Sequence, residues 1–267
     1  MNFVEAMILG LVQGLTEFLP VSSSGHLVLS QKLLGVEDKG VTFEVLVHFG
    51  TLLSVLIYFW KPLWRMILSI IPPFKSEYEN ERRMIGYLAI ASVPAAIVGF
   101  SPLKDVFEGT YEKPAVVGLL LMVTGAILFL PRLFAKRRGE GEMGIKSAIV
   151  MGVGQAFAIL PGVSRSGSTI VSGMMAGVKP SAAAEFSFLM AIPAIAAASL
   201  MEAGKLSEVD TSLLMPYLAG AAVAFLSGLI AIYSVLAAIR RGKFEYFGVY
   251  CLIAGTAAFL YFRSQGI

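Results

Sequence analysis

Six stretches of the chain, 43–60, 84–101, 114–131, 181–201, 213–236 and 244–262, are almost continuously apolar. Each is near the roughly 20 residues that carry a helix across a bilayer. The run PAVVGLLLMVTGAILFLP at 114–131 has no charged residue and is bounded by prolines, and 211–239 is also uncharged. The apolar residues do not alternate with polar ones, as they would in a membrane β-barrel. The pattern predicts transmembrane helices. Two further runs, 2–34 and 144–178, are helix-like but broken halfway, at LPVSSSG and LPGVSRSG. Neither half is long enough to cross alone. Lipid leaves open backbone unsatisfied, so such a break must be buried in protein or line a wet cavity. Both runs are read as re-entrant helix–loop–helix hairpins, with a kinked spanning helix as the competing reading. The first is not a signal peptide, because it lacks a basic n-region and has Glu5 near its start.

Composition narrows the class. Of 267 residues, 57% are hydrophobic and 15% are charged, and mean hydropathy is +0.77. An average soluble domain carries about 25% charged residues. There is too little charge to cover a water-soluble globule and too much apolar residue for a disordered chain. The net charge of +3 is small and says little about partners; no nucleic-acid partner is expected. The single cysteine, Cys251, excludes an internal disulfide framework.

A shift of 142 residues aligns the two broken runs: Gly10 with Gly152, Gln13 with Gln155, Ser22 with Ser164, Ser24 with Ser166 and Gly25 with Gly167. Downstream, FEV at 43–45 falls near EFSF at 185–188 with a one-residue slip. The expected architecture is an all-α polytopic membrane protein, 1–267, of two repeats, about 1–135 and 143–267. Each repeat would hold one hairpin and three spans, and an odd number of spans inverts the second half, as in transporter-like folds. With the N-terminus outside, the inner loops are 61–83, 132–146, 178–180 and 237–243. Fourteen Lys and Arg fall there, including Lys136, Arg137 and Arg138. Six fall outside (Lys32, Lys39, Lys104, Lys113, Lys205 and Arg263), and Arg165 lies in a hairpin, which accounts for all 21. This bias fits the positive-inside rule and places both termini outside. The hairpin tips, 20–26 and 161–167, then enter from opposite faces and can meet in the interior.

Ionisable side chains at membrane depth are costly and are functional by default. The hairpins hold Glu17, His26 and Arg165. Gln13 and Glu17 share a helix face at i, i+4. Ser22, Ser23 and Ser24 can cap the helix after the first break, and Ser164 and Ser166 the helix after the second. Two helix N-termini aimed at one spot form an anion site, and the Arg165 fork suits phosphate. Glu17 beside an anion makes sense with a divalent cation between them. Ser23 near His26 resembles an activated nucleophile, and His26 itself is an alternative phosphoryl acceptor. The plainer readings are capping for the serines, an interhelical hydrogen bond for Gln13 and a buried ion pair for Glu17 and Arg165. Glu5, Glu44 and Glu185 fall near helix ends, and His48, alone in an apolar span, is read as structural.

The segments QGLTEFLPVSSSGH at 13–26 and PGVSRSGSTIVSG at 161–173 resemble the bacitracin-resistance-type undecaprenyl-diphosphate phosphatase family. The likeness runs through essentially the whole chain. It implies a multi-pass enzyme of the bacterial cytoplasmic membrane, where the terminal phosphate of undecaprenyl diphosphate is removed. Further implications are a divalent metal, Mg or Ca, bacitracin resistance and often a homodimer. By position, Glu17 and Gln13 would hold the metal and diphosphate, Arg165 would clamp the phosphate, and Ser23 or His26 would be nucleophile or base. Ser22, Ser24, Ser164 and Ser166 would line the substrate. The first hairpin opens outward, so the active site is expected to face the periplasm. The competing function is a transporter or flippase of an anionic prenyl lipid, which would need Arg165 and the helix ends but no nucleophile.

Overall fold

The computed structural model describes residues 1–36, 41–102, 107, 109–134, 141–202 and 211–266. Lys39, Lys104, Lys136, Arg137, Arg138 and Lys205, used above to orient the chain, lie outside the described residues. The first broken run forms α1 (Phe3–Phe18) and α2 (Ser23–Leu34). Then come α3 (Val41–Tyr58), α4 (Trp60–Ser69), α5 (Glu79–Gly99) and α6 (Pro114–Phe134). The second broken run forms α7 (Ile145–Phe157) and α8 (Arg165–Met175). The chain closes with α9 (Pro180–Glu202), α10 (Thr211–Arg240) and α11 (Glu245–Ser264).

This is an all-helical polytopic membrane protein. Helices α6, α9, α10 and α11 are each long and apolar enough to cross a bilayer, and α3 with α4 qualifies as a pair bent by 78°. Helix α5 covers the expected span 84–101, but Glu79, Glu81, Arg82 and Arg83 occupy its first turns and shorten its apolar part. The sequence pattern places 61–83 in an inner loop. The structure instead places α4 at its start and a short turn of helix at Ser76–Tyr78.

Lipid offers no hydrophobic drive for helix pairing, so close packing of small residues sets the contacts. Helix α1 lies against α10. A Cβ on Gly10 would sit 2.2 Å from the Gly220 carbonyl oxygen, and one on Gly14 2.4 Å from that of Ala224. Helix α7 makes the corresponding contact with α5, where a Cβ on Gly152 would sit 2.5 Å from the Ala91 carbonyl oxygen. The aligned glycines 10 and 152 therefore do the same work in the two hairpins, each against a long helix of the other half. The largest buried cluster joins both halves and includes Phe18, Val21, Leu121, Leu128, Ile170 and Phe188. It surrounds the two breaks.

Candidate active site

The first hairpin sets its polar residues through local backbone geometry. Helix α1 ends at Phe18, so Gln13 and Glu17 sit on its last turns, both buried, with Gln13 fully inaccessible. The Gln13 amide donates to Glu17 Oε2 at 3.0 Å. After Pro20 the chain must reverse within a few residues. Ser22 does this with φ 69°, the one positive φ of a non-glycine among the described residues. Such a conformation costs on the order of 1–3 kcal/mol and persists only where the surroundings enforce it. Ser22 then caps α2, its Oγ accepting from the Gly25 amide at 3.3 Å. The turn brings the Ser23 hydroxyl back over α1, where it donates to Glu17 Oε2 at 2.6 Å.

The second hairpin repeats the plan. Ser164 caps α8, accepting from the Gly167 amide at 3.0 Å, and its Oγ lies 3.2 Å from that of Ser166. Gly162, at φ 100°, makes the turn. Arg165 donates to Glu17 Oε1 at 2.5 Å and to the Ser187 carbonyl of α9 at 3.2 Å. Ser166 donates to the Leu19 carbonyl at 3.0 Å. A Cβ on Gly25 would lie 3.0 Å from Gly162 Cα, so the backbones of the two tips touch. The N-termini of α2 and α8 thus converge, each with first-turn N–H groups that no helical carbonyl closes. In the 142-residue register Ser23 aligns with Arg165 and Glu17 with Ile159. The halves share their caps but differ in their chemistry.

The expected Ser23–His26 pair does not form. His26 Nδ1 donates to the Ser22 carbonyl at 2.8 Å, and its Nε2 accepts from the Tyr250 hydroxyl of α11 at 2.7 Å. The two rings are stacked, 5.6 Å apart at 14°. Three residues of the site were not read from the sequence. Tyr250 carried no signal there, because it sits in an apolar run far from the motifs. His48, set aside as structural, has Nε2 3.8 Å from Glu17 Oε2, while its Nδ1 donates to the Glu44 carbonyl at 2.7 Å. Thr124 accepts from the Ser164 amide at 2.9 Å and donates to the Gly162 carbonyl at 2.8 Å, which fixes the second loop to α6. Thr124 did leave a signal, as the only polar side chain in 114–131. Of the remaining residues, Ser24 joins Ser22 at 3.4 Å and Glu5 closes a capping box with Asn2.

The profile of the bacitracin resistance protein BacA family matches residues 6–257. The chain belongs to that family. An undecaprenyl-diphosphatase of Syntrophotalea carbinolica is 44% identical over 97% of this chain and 98% of its own length. One of Rhodopirellula baltica is 39% identical over the same shares. The undecaprenyl-diphosphatase 1 of Shouchella clausii is 36% identical over 100% of this chain and 99% of its own length.

In this BacA family member, the donor set can be tested against a divalent cation. Gln13 Oε1 is buried and has no hydrogen-bond partner, beside the Glu17 carboxylate. Among the described residues no three His, Cys, Asp or Glu side chains converge. One carboxylate and one orphaned amide oxygen suit a hard cation that fills its shell with water and substrate phosphate oxygens. The residues present fit such an ion.

Proposed function

We propose that this chain is an integral membrane phosphatase that hydrolyses undecaprenyl diphosphate to undecaprenyl phosphate and inorganic phosphate. It would recycle the lipid carrier for cell-wall synthesis and confer bacitracin resistance. The relatives, named undecaprenyl-diphosphatases, support the substrate. The observation that carries the chemistry is the 2.6 Å hydrogen bond from Ser23 to Glu17 Oε2, beside Arg165 and two helix N-termini.

In this reading the terminal phosphoryl group lies between the N-termini of α2 and α8. Ser23 Oγ attacks its phosphorus, and the Ser23 proton passes to Glu17. The bond to the bridging oxygen breaks, and undecaprenyl phosphate leaves with the electron pair. Water then attacks the phosphoserine, releasing inorganic phosphate and returning the proton to Ser23. Arg165 holds the oxygens on which charge develops. One such positioned donor is worth about 10²–10³ in rate, whereas a helix N-terminus contributes about 0.3–1 kcal/mol. Arg165 is therefore the decisive group and the serine-capped helix ends assist it. Ser23 is favoured over His26 as nucleophile because both His26 nitrogens are already engaged. His26 would instead serve the leaving or attacking oxygen once Tyr250 yields Nε2.

Glu17 and Gln13 would hold Mg or Ca, which would neutralise charge on the diphosphate. The enzyme is read as a protein of the bacterial cytoplasmic membrane, with two inverted repeats, both termini outside and the site open to the periplasmic face. The basic-residue bias supports the orientation, and the aligned hairpins support the repeat. A transport-only role finds no use for a serine held on a carboxylate. The test is phosphate release from a long-chain prenyl diphosphate by detergent-purified protein with Mg, with Ca and with EDTA. Metal-dependent release is expected. No release with any metal, together with lipid flux in liposomes, would replace this reading with the transport one.

A further inference from the structure

Helix α4 is set apart from the rest of the fold. It follows α3 after a single residue, Phe59, whose φ of −100° and ψ of 22° break the helix. The two axes differ by 78°. If α3 crosses the bilayer, α4 therefore runs nearly parallel to its plane. Helical periodicity divides the surface of α4 into three faces. Leu63, Met66 and Ser69 turn inward, with Met66 and Ser69 buried and Leu63 packed on the main core. Trp60, Trp64 and Ile67, at i, i+4 and i+7, share a second face and are 58%, 56% and 48% exposed. Lys61 and Arg65 form the third. The exposed apolar surface continues past the helix through Ile70, Ile71 and Phe74.

We infer that α4 is an interfacial helix that lies in the phospholipid headgroup boundary. Trp60, Trp64 and Ile67 are seated in that boundary, and Lys61 and Arg65 face the headgroup phosphates. Three observations select this occupant. Tryptophan, with an apolar body and a polar N–H, favours the zone where one end is dry and the other wet. An amphipathic helix with aromatic residues on one face and basic ones beside them is the pattern that binds the plane of a bilayer. The surrounding segment, 61–83, carries five Lys and Arg against three Glu, an excess that complements anionic lipid. Lys61 lies 5.8 Å from the Trp60 ring centroid, and Arg65, paired to Glu81 at 2.6 Å, lies 5.6 Å from that of Tyr78. The basic groups are thus held at the level of the aromatic rings.

The placement matters for the site. Phe59, at the bend, lies 6.4 Å from the Phe188 ring, which lies 5.5 Å from that of Phe18, the neighbour of Glu17. Anchoring α4 fixes the end of α3 and, through this aromatic file, the end of α1.

The chain has only two tryptophans, Trp60 and Trp64, so intrinsic tryptophan emission reports on α4 alone. The test uses the full-length protein in vesicles of mixed zwitterionic and anionic phospholipid, part of it brominated either near the headgroup or near the chain end. Bromine near the headgroup should remove most of the emission, and bromine near the chain end distinctly less. Trp60→Phe and Trp64→Phe, which keep an aromatic ring, should each show the same order. Stronger quenching from the chain end would make α4 part of a bent span and overturn the inference. Quenching by a water-soluble agent but by neither lipid would also overturn it, as would emission shielded from all three, which would place a second copy of the chain on this face.

Discussion

Glu17 accepts from three donors, the amide of Gln13, the hydroxyl of Ser23 and the guanidinium of Arg165, with His48 just beyond. A buried charge so surrounded is expensive to leave unpaired. Removing either member of such a pair costs about 3–5 kcal/mol, because the survivor stays buried without compensation. Glu17→Ala and Arg165→Ala should each lower resistance to denaturation in detergent, and the double variant should lose less than the sum of the two. Strict additivity would mean that the pair is not coupled. Tyr250→Phe makes a narrower change, keeping the stacked ring and removing the hydroxyl from His26 Nε2. That bond must break before His26 can serve an oxygen of the substrate, so its loss removes about 1 kcal/mol of ground-state stabilisation and kcat should rise, by at most about fivefold, with KM little changed. An unchanged kcat would separate Tyr250 from the reaction. Glu17, Ser23 and Arg165 were legible in the sequence because each is a polar residue at a break in an apolar run. The His26–Tyr250 contact was not, since its partners are 224 residues apart and a tyrosine in an apolar run looks like packing.

At the level of elements, the position of Glu17 depends on how closely α1 approaches α10. A side chain at Gly10 or Gly14 would meet backbone of α10 well inside contact distance. Gly10→Val should therefore push α1 outward, destabilise the protein by about 1–3 kcal/mol and weaken phosphate release together with stability. Full activity and unchanged denaturation would show that α1 is free to move. The helices and both breaks were readable from apolar run length and from Pro, Gly and Ser. The start of α5 and the existence of α4 were not. Window hydropathy sees the charges of 61–83 and reports a loop, whereas the i, i+4 spacing of Trp60 and Trp64 and the burial of Met66 make a helix of Trp60–Ser69.

For the whole molecule, the alignment of the two hairpins extends to element order. Among the described residues each half runs hairpin, helix, helix, helix, and α4 has no counterpart in the second half. The two tips, which the 142-residue shift aligns, touch at Gly25 and Gly162. Which residues would touch did not follow from the alignment, because tertiary packing decides that Ser166 reaches Leu19 and Arg165 reaches Glu17. The proposed orientation can be tested with single added cysteines, because the only native cysteine, Cys251, is buried. Lys75→Cys should react with a membrane-impermeant thiol reagent only after the cytoplasmic face is opened, and Gln265→Cys in intact cells. The reverse result would invert the topology.

The central claim is that Ser23, activated by Glu17 and opposed by Arg165, removes a phosphate from a prenyl diphosphate. The most direct measurement is phosphate release from a long-chain prenyl diphosphate by wild type, Ser23→Ala, Glu17→Gln, Arg165→Lys and His26→Ala, each confirmed folded, with saturating divalent metal. Release should be lost by a factor of about 10²–10³ or more in the first three variants, and His26→Ala should retain more activity than Ser23→Ala. Wild-type release from Ser23→Ala, with activity abolished in His26→Ala, would contradict the account and make the histidine the phosphoryl acceptor.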